Sequence, residues 1–236
     1  MTGVSGVTGA SASPALLDLP EGEVAALLPR VPRRGAAHPA VLGIAGAPGA
    51  GKSTLTATLV AAARAEGLRV AEVGMDGYHL AQELLIARGQ TEIKGAPATF
   101  DAAGYVHLLR RIRAGERVYA PRYERGAGNP IANAVEVDPA VDLVITEGNY
   151  LLLPEGAWAG VRGELDAAWF LELASQVRQE RLLARHLAHG KDPERARAFA
   201  YGSDEHNARA VAASRERADL VLRLRPAAPP SGRMGA

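Results

Sequence analysis

The run Gly46-Ala47-Pro48-Gly49-Ala50-Gly51-Lys52-Ser53, with Thr54 after it, fits G-x-x-x-x-G-K-[ST] at every defined position. That spacing has a chemical reason. Glycines at 46, 49 and 51 let the backbone curl until successive N–H groups face one anion. A helix starting at the end of the run adds its positive pole. Lys52 brings a point charge to the β- and γ-phosphates of a nucleoside triphosphate, and the Ser53 hydroxyl can ligate Mg²⁺. Lysine is rare in this chain: only Lys52, Lys94 and Lys191 occur, and every other Lys-or-Arg position is arginine. A plain glycine turn would have no need of one of those three. Residues 46–54 are therefore expected to hold ATP through its phosphates.

A second reactive group follows. The apolar stretch 68–75 (LRVAEVGM) runs into Asp76-Gly77-Tyr78-His79. In an open α/β sheet, ligands sit beyond the carboxyl ends of the strands. Asp76 is thus expected near the terminal phosphate, where a carboxylate can accept the proton of an attacking hydroxyl. Its competing role is to cap a helix starting near Leu80. Glu147 stands likewise at the end of the run 142–146 (DLVIT).

The elements that position these groups follow from pattern. Residues 40–45 (AVLGIA) form a short apolar run suited to a buried strand, 52–65 to a helix stopped by Gly67, and 68–75 to a second strand. This βαβ order implies a parallel sheet with a right-handed crossover, an α/β fold. Helices are expected over 80–88, 101–114 (Asp101 as N-cap, Gly115 as stop), 175–189 and 193–213. Further strands are expected over 142–146, 165–173 and 219–224. Short extended pieces occupy 117–138. Residues 14–31 are expected as a short amphipathic helix within an N-terminal extension, 1–38, whose first residues are disordered. The main domain spans 39–225, and 226–236 is a flexible tail. Trp158 and Trp169 are assigned to the core.

Composition removes several classes. There is no cysteine, which excludes disulfides, thiolate zinc sites and a cysteine nucleophile. Net charge is +1, with no basic field calling for nucleic acid. No apolar run approaches the roughly 20 residues that span a bilayer, and no secretory signal precedes the domain. A cytoplasmic protein with no nucleic-acid or membrane partner is expected.

The strings GAPGAGKST, MDGYH, KGAPATFD (94–101), PRYERGAGNP (121–130), ITEGNYLLL (145–153) and RQERLLARH…GSDEHNA (178–208) occur in that order. Together they resemble the phosphoribulokinase / uridine kinase / pantothenate kinase family of P-loop kinases over about residues 40–225. The resemblance implies a three-layer α/β/α P-loop fold with a mostly parallel sheet and a helical lid, about 178–200. It implies that Asp76 is the catalytic base and that Glu147 acts on Mg²⁺. It implies a lid helix whose arginines screen the transferring phosphoryl group. Arg178, Arg181 and Arg185 fall on one helical face, with Arg181 and Arg185 the favoured pair.

Acceptor-side candidates are Tyr78, His79, Lys94, Arg122, Tyr123, Asn149 and Tyr150. The acceptor is expected to be a small metabolite hydroxyl: nucleoside-, sugar- or pantothenate-like, with uridine kinase as the first comparison. His79 stands where uridine kinases typically carry tyrosine, and the longer C-terminal region of pantothenate kinases is absent. A sugar or other polyol therefore stays open, as does a homodimer. The competing class is a P-loop switch or chaperone whose hydrolysis drives a protein partner. Such a protein would need neither Asp76 nor the 94–101 loop. The chain has no N-K-x-D for guanine and no L-S-G-G-Q of transporter ATPases.

Overall fold

A computed structural model describes residues 13–35 and 38–225. Strand β1 (Ala15–Pro20) leads into 3-10 turns over Glu21–Arg30. β2 (Ala40–Gly46) enters the glycine turn and α1 (Lys52–Ala65), followed by β3 (Val70–Gly74) and a 3-10 turn, Met75–Tyr78. Next come α2 (Gln82–Ala87), α3 (Ala102–Arg113), and the strands β4 (Val118–Glu124) and β5 (Asn129–Val137). β6 (Leu143–Gly148), β7 (Ala167–Glu172) and α4 (Ser175–Ala188) follow. α5 (Pro193–Ala198), α6 (Asp204–Ala213) and β8 (Leu220–Arg225) complete the order.

Six strands make one parallel sheet, ordered β1-β8-β7-β2-β6-β3. β2 is central and wholly buried, because layers cover both faces; this explains its unbroken apolar run. Its side chains alternate as the pleat requires. Val41 and Ala45 enter a core with α3 and Trp158, while Ala40, Leu42 and Ile44 enter another beneath Leu55 and Leu59 of α1. Trp169 joins the second core, so both tryptophans are interior. Asp101 caps α3 by accepting a hydrogen bond from the Gly104 N–H at 2.8 Å. The parallel register sets Gly74 of β3 and Ile44 of β2 beside Glu147, which brings the strands' carboxyl ends to one edge.

The structure refines three of the expected elements. Residues 14–31 are not one helix: Ala15–Pro20 is a strand, and only Glu21–Arg30 is helical, as 3-10 turns. Pro14 and Pro20 bracket ALLDLP, which pairs with β8 from Ala15↔Leu220 to Pro20↔Arg225. Pro20 lacks a donor, which an edge strand tolerates. Val24 and Leu27 of the following turns pack into the α1-side core. The helix expected over 193–213 forms, with a π turn, Phe199–Ser203, set inside it. The extended pieces of 117–138 pair as an antiparallel hairpin, bulged between Ala120 and Arg122. The readings of the first residues and of the 226–236 tail lie outside the described residues. Among the described residues, no helix is long and apolar enough to cross a membrane.

Candidate active site

The glycine turn lies where β2 meets α1, beyond the carboxyl end of the central strand. Gly49 adopts φ +80°, and a Cβ there would stand 2.8 Å from Leu182 Cγ and 2.9 Å from the Arg178 carbonyl oxygen. The turn is thus roofed by α4, at a distance that only glycine allows. A cavity of about 550 Å³ opens along residues 49–55 and is closed by Leu171, Leu173, Leu224, Arg181 and Arg185. Glu21 and Val24 form part of its wall, a contribution that local pattern gave no means of finding.

Lys52 is 8% exposed and donates hydrogen bonds from Nζ to Asn149 Oδ1 at 2.7 Å and to the Ala47 carbonyl at 3.2 Å. Burial pulls its ammonium below the ordinary lysine range, against the attraction of Glu147 and Asp76. Ser53 Oγ donates to Glu147 Oε1 at 3.0 Å. Burial pushes the Glu147 carboxyl above its usual range, opposed by Lys52. A hydroxyl and a carboxylate side by side are hard oxygen donors of the kind Mg²⁺ takes, usually with only one or two carboxylates and the rest from phosphate and water. No group of three His, Cys, Asp or Glu able to hold a metal exists among the described residues. The donor set therefore fits a phosphate-borne Mg²⁺ and does not fit an ion held by protein alone.

Asp76 sits in the turn after β3. A Cβ on Gly148 would stand 2.4 Å from Met75 Cβ, so the ends of β3 and β6 touch here, with Asp76 and Glu147 on adjoining strand ends. Asp76 lines a polar cavity of about 250 Å³ together with Lys52, Ser53, His79, Tyr123 and Asn149. Its side chain is 36% exposed, and Arg125 Nη2 approaches it to 3.8 Å. A groove of about 680 Å³ between β3 and the hairpin also reaches Asp76, past Arg122 and Tyr123. His79 is wedged between Phe100 and Tyr123, with ring centroids 3.9 and 4.7 Å away. Its Nδ1 donates to the Asp76 carbonyl at 2.9 Å, which leaves Nε2 as the acceptor. Burial holds this imidazole below its ordinary pKa, against the pull of Asp76.

The three arginines of α4 divide. Arg181 and Arg185 line the 550 Å³ cavity, and Arg185 reaches the 250 Å³ cavity as well. Arg181 Nη2 meets Glu21 Oε1 at 3.4 Å. Arg178 is 2% exposed, pairs with Glu205 and donates to the Pro48 carbonyl, so it fastens α4 to the glycine turn.

Three residues expected on the acceptor side are occupied by the protein itself and line none of these cavities. Tyr150 is fully buried, its hydroxyl donating to the Gly95 carbonyl and its ring packed on Phe100 and Trp158. Tyr78 packs on Tyr105, with centroids 5.1 Å apart. Lys94 Nζ donates to Gln82 Oε1 and to the Gly128 carbonyl, both at 2.7 Å, tying the 89–99 loop to the hairpin tip. Asn149 faces Lys52. Residues that local reading missed are Arg125, His186, Asp204 and Asn207, all of which line the 250 Å³ cavity. Each lies inside one of the strings that carry the family resemblance, but nothing in its spacing says which way it turns.

The profile of the Methylmalonyl Co-A mutase-associated GTPase MeaB family matches residues 19–79. The "Putative uridine kinase C227.14" of Schizosaccharomyces pombe is 34% identical over 158 residues, covering 64% of this chain and 67% of that protein. The pantothenate kinase of Sorangium cellulosum is 30% identical over 215 residues, covering 80% of this chain and 70% of that one. The crystal structure of a "putative fructose transport system kinase" from Silicibacter sp. TM1040 superposes with TM-score 0.77 at 39% identity, covering 85% of this chain and 97% of that one. The phosphoribulokinase of Rhodobacter spheroides shares the fold alone, with TM-score 0.54 at 14% identity. The chain belongs to the phosphoribulokinase, uridine kinase and pantothenate kinase family of P-loop kinases.

Proposed function

We propose that this protein is an ATP-dependent kinase that transfers the γ-phosphate of ATP to a hydroxyl of a small metabolite. One observation carries the reading: Lys52, Ser53 and Asp76 line a single cavity, and the Asp76 carboxylate is open to it. The acceptor oxygen bonds to the γ-phosphorus as the bond from that phosphorus to the β–γ bridging oxygen breaks. ADP leaves with the bonding pair, and the hydroxyl proton passes to Asp76. Ser53 and Glu147 are the side chains that would hold Mg²⁺, which when bound supplies positive charge to the phosphate oxygens. Lys52, Arg181 and Arg185 add fixed cations where charge spreads in the transition state. Arg122, Tyr123 and His79 offer the acceptor its approach from the hairpin side.

The test is a screen for ADP release and phosphorylated product against nucleosides, pantothenate, ketohexoses, ribulose 5-phosphate and vitamin-derived ribosides. Asp76→Asn is expected to lower acceptor-dependent turnover about 10²- to 10⁴-fold, the usual worth of a general base, while nucleotide binding persists. A second reading is a P-loop NTPase switch or chaperone acting on a protein partner, favoured by the MeaB-like match over 19–79. Brisk hydrolysis indifferent to every acceptor and to Asp76→Asn would decide for it.

A further inference from the structure

The wall of the 250 Å³ cavity opposite Asp76 is built by α6 and the end of α4, through Asp204, Asn207 and His186. The kinase chemistry above uses none of them. Asp204 is the first residue after the π turn Phe199–Ser203, and π turns inside helices recur at functional sites. Its side chain is only 17% exposed. Oδ2 pairs with His186 Nε2 at 2.8 Å, and Oδ1 makes no hydrogen bond among the described residues. Oδ1 is not buried away without a partner but keeps access to the cavity, so a ligand there can donate a hydrogen bond to it.

Resting on the kinase reading, we propose that Asp204 grips a second hydroxyl of the acceptor, and that its bond to His186 ties acceptor occupancy to the helix carrying Arg185. The chemistry selects a class. Asp204, with Arg185 close enough to feel its charge, attracts O–H donors, while Asp76 offsets Arg125 in the same lining, so these arginines have little charge to spare for a phosphate or acid group on the acceptor. Lys52, Ser53 and Gly49 also line the cavity, so the terminal phosphate takes up part of its space. Pockets for drug-sized ligands run about 300–1,000 Å³, which makes the remainder suited to a compact acceptor. The acceptor class is thus a small, uncharged polyol of monosaccharide size, without a phosphate or acid group on the end distal to the transferred phosphoryl. His186 follows Arg185 directly in α4, so a polyol that fixes Asp204 also fixes the register of that arginine over the phosphates.

Thermal shift with a non-hydrolysable ATP analogue and Mg²⁺ tests this without turnover. The probes are neutral monosaccharides and sugar alcohols, each paired with its phosphorylated and acid forms. Neutral polyols should raise Tm above the nucleotide-only value and their anionic counterparts should not. Asp204→Asn should abolish the polyol increment and leave the nucleotide increment and the ligand-free Tm intact. In steady state the same variant should raise the KM of the active polyol about ten- to a hundredfold, the worth of one hydrogen bond to a charged group. His186→Gln should instead lower kcat with a smaller change in KM. Absence of any polyol increment, a preference for the anionic forms, or an unchanged polyol response in Asp204→Asn overturns the proposal. The kinase reading fails separately: polyols then bind through Asp204, yet the wild-type protein yields no phosphorylated product.

Discussion

The two halves of the candidate active site are built in different ways. The nucleotide half comes from one unbroken run, residues 46–54, whose geometry is fixed by the strand before it and the helix after it. The acceptor half draws Asp76 and His79 from the turn after β3, Tyr123 and Arg125 from the hairpin, Asn149 from the end of β6, His186 from α4 and Asp204 from α6. The first half can form as soon as its local β–turn–α unit docks on the sheet. The second exists only once five distant segments have converged. This difference accounts for a nucleotide side shared among many chemistries and an acceptor side that varies with each of them.

Lys52 belongs to both halves, so its loss should have a larger effect than any change confined to one of them. Lys52→Met is expected to weaken binding of a fluorescent ATP analogue and to lower product formation about 10²- to 10³-fold, in the range for removing one preorganised cationic donor. Steady-state product assays and nucleotide titration on one preparation read both quantities. An effect confined to the acceptor KM would break the division between the halves.

Arg125, like Lys52, lines both cavities, but its charged partner is Asp76 on the acceptor side. It stands at the hairpin tip and approaches Asp76 to 3.8 Å. Arg125→Gln should raise the acceptor KM about tenfold, consistent with losing one charged hydrogen-bonding partner, with nucleotide Kd within about twofold of wild type. Equal losses on both sides, measured by titration and initial rates, would show that the hairpin tip serves the triphosphate as well.

The smallest effect should come from a pair outside both halves. Asp142 accepts hydrogen bonds from the Arg69 guanidinium and backbone N–H, which hold its carboxyl down at about 2. A depressed carboxyl adds stability above the unfolded value of about 3.9, and that contribution fades as pH falls through the folded value. Asp142→Asn should therefore lower Tm at neutral pH by at most a few degrees and flatten its decline between about pH 4 and pH 2. Kinetic constants at neutral pH should not move. A change in acceptor KM would mean that the start of β6 reaches the site.

Most of the sheet was legible because parallel buried strands carry continuous apolar runs, and because Gly67, Asp101 and Gly115 mark helix ends through chemistry of their own. The glycine turn was legible down to Lys52 and Ser53, since the anion dictates both type and spacing. β1 was not: ALLDLP suits a helix or a strand equally, and the choice was made by β8. Tyr150 and Lys94 were misplaced for a related reason. A polar tip on a loop looks available until tertiary packing supplies the Gly95 and Gly128 carbonyls that take it up. Arg125 and Asp204 carried no signal that set them apart from neighbouring charged residues, because their direction is fixed by a hairpin turn and a π turn that no local period announces.

The pairing of β1 with β8 also bears on how the protein is made. A ribosome releases Leu17 roughly 200 residues before its partner Leu222. At about 5–20 residues per second that interval is about 10–40 s. Late in it, once β6 and β7 have been made to flank β2, the glycine turn can be in place while Glu21 and Val24 still lack the strand pairing that anchors them. The part of the cavity wall carried by Glu21 and Val24 is thus fastened in place only after β8 has been made.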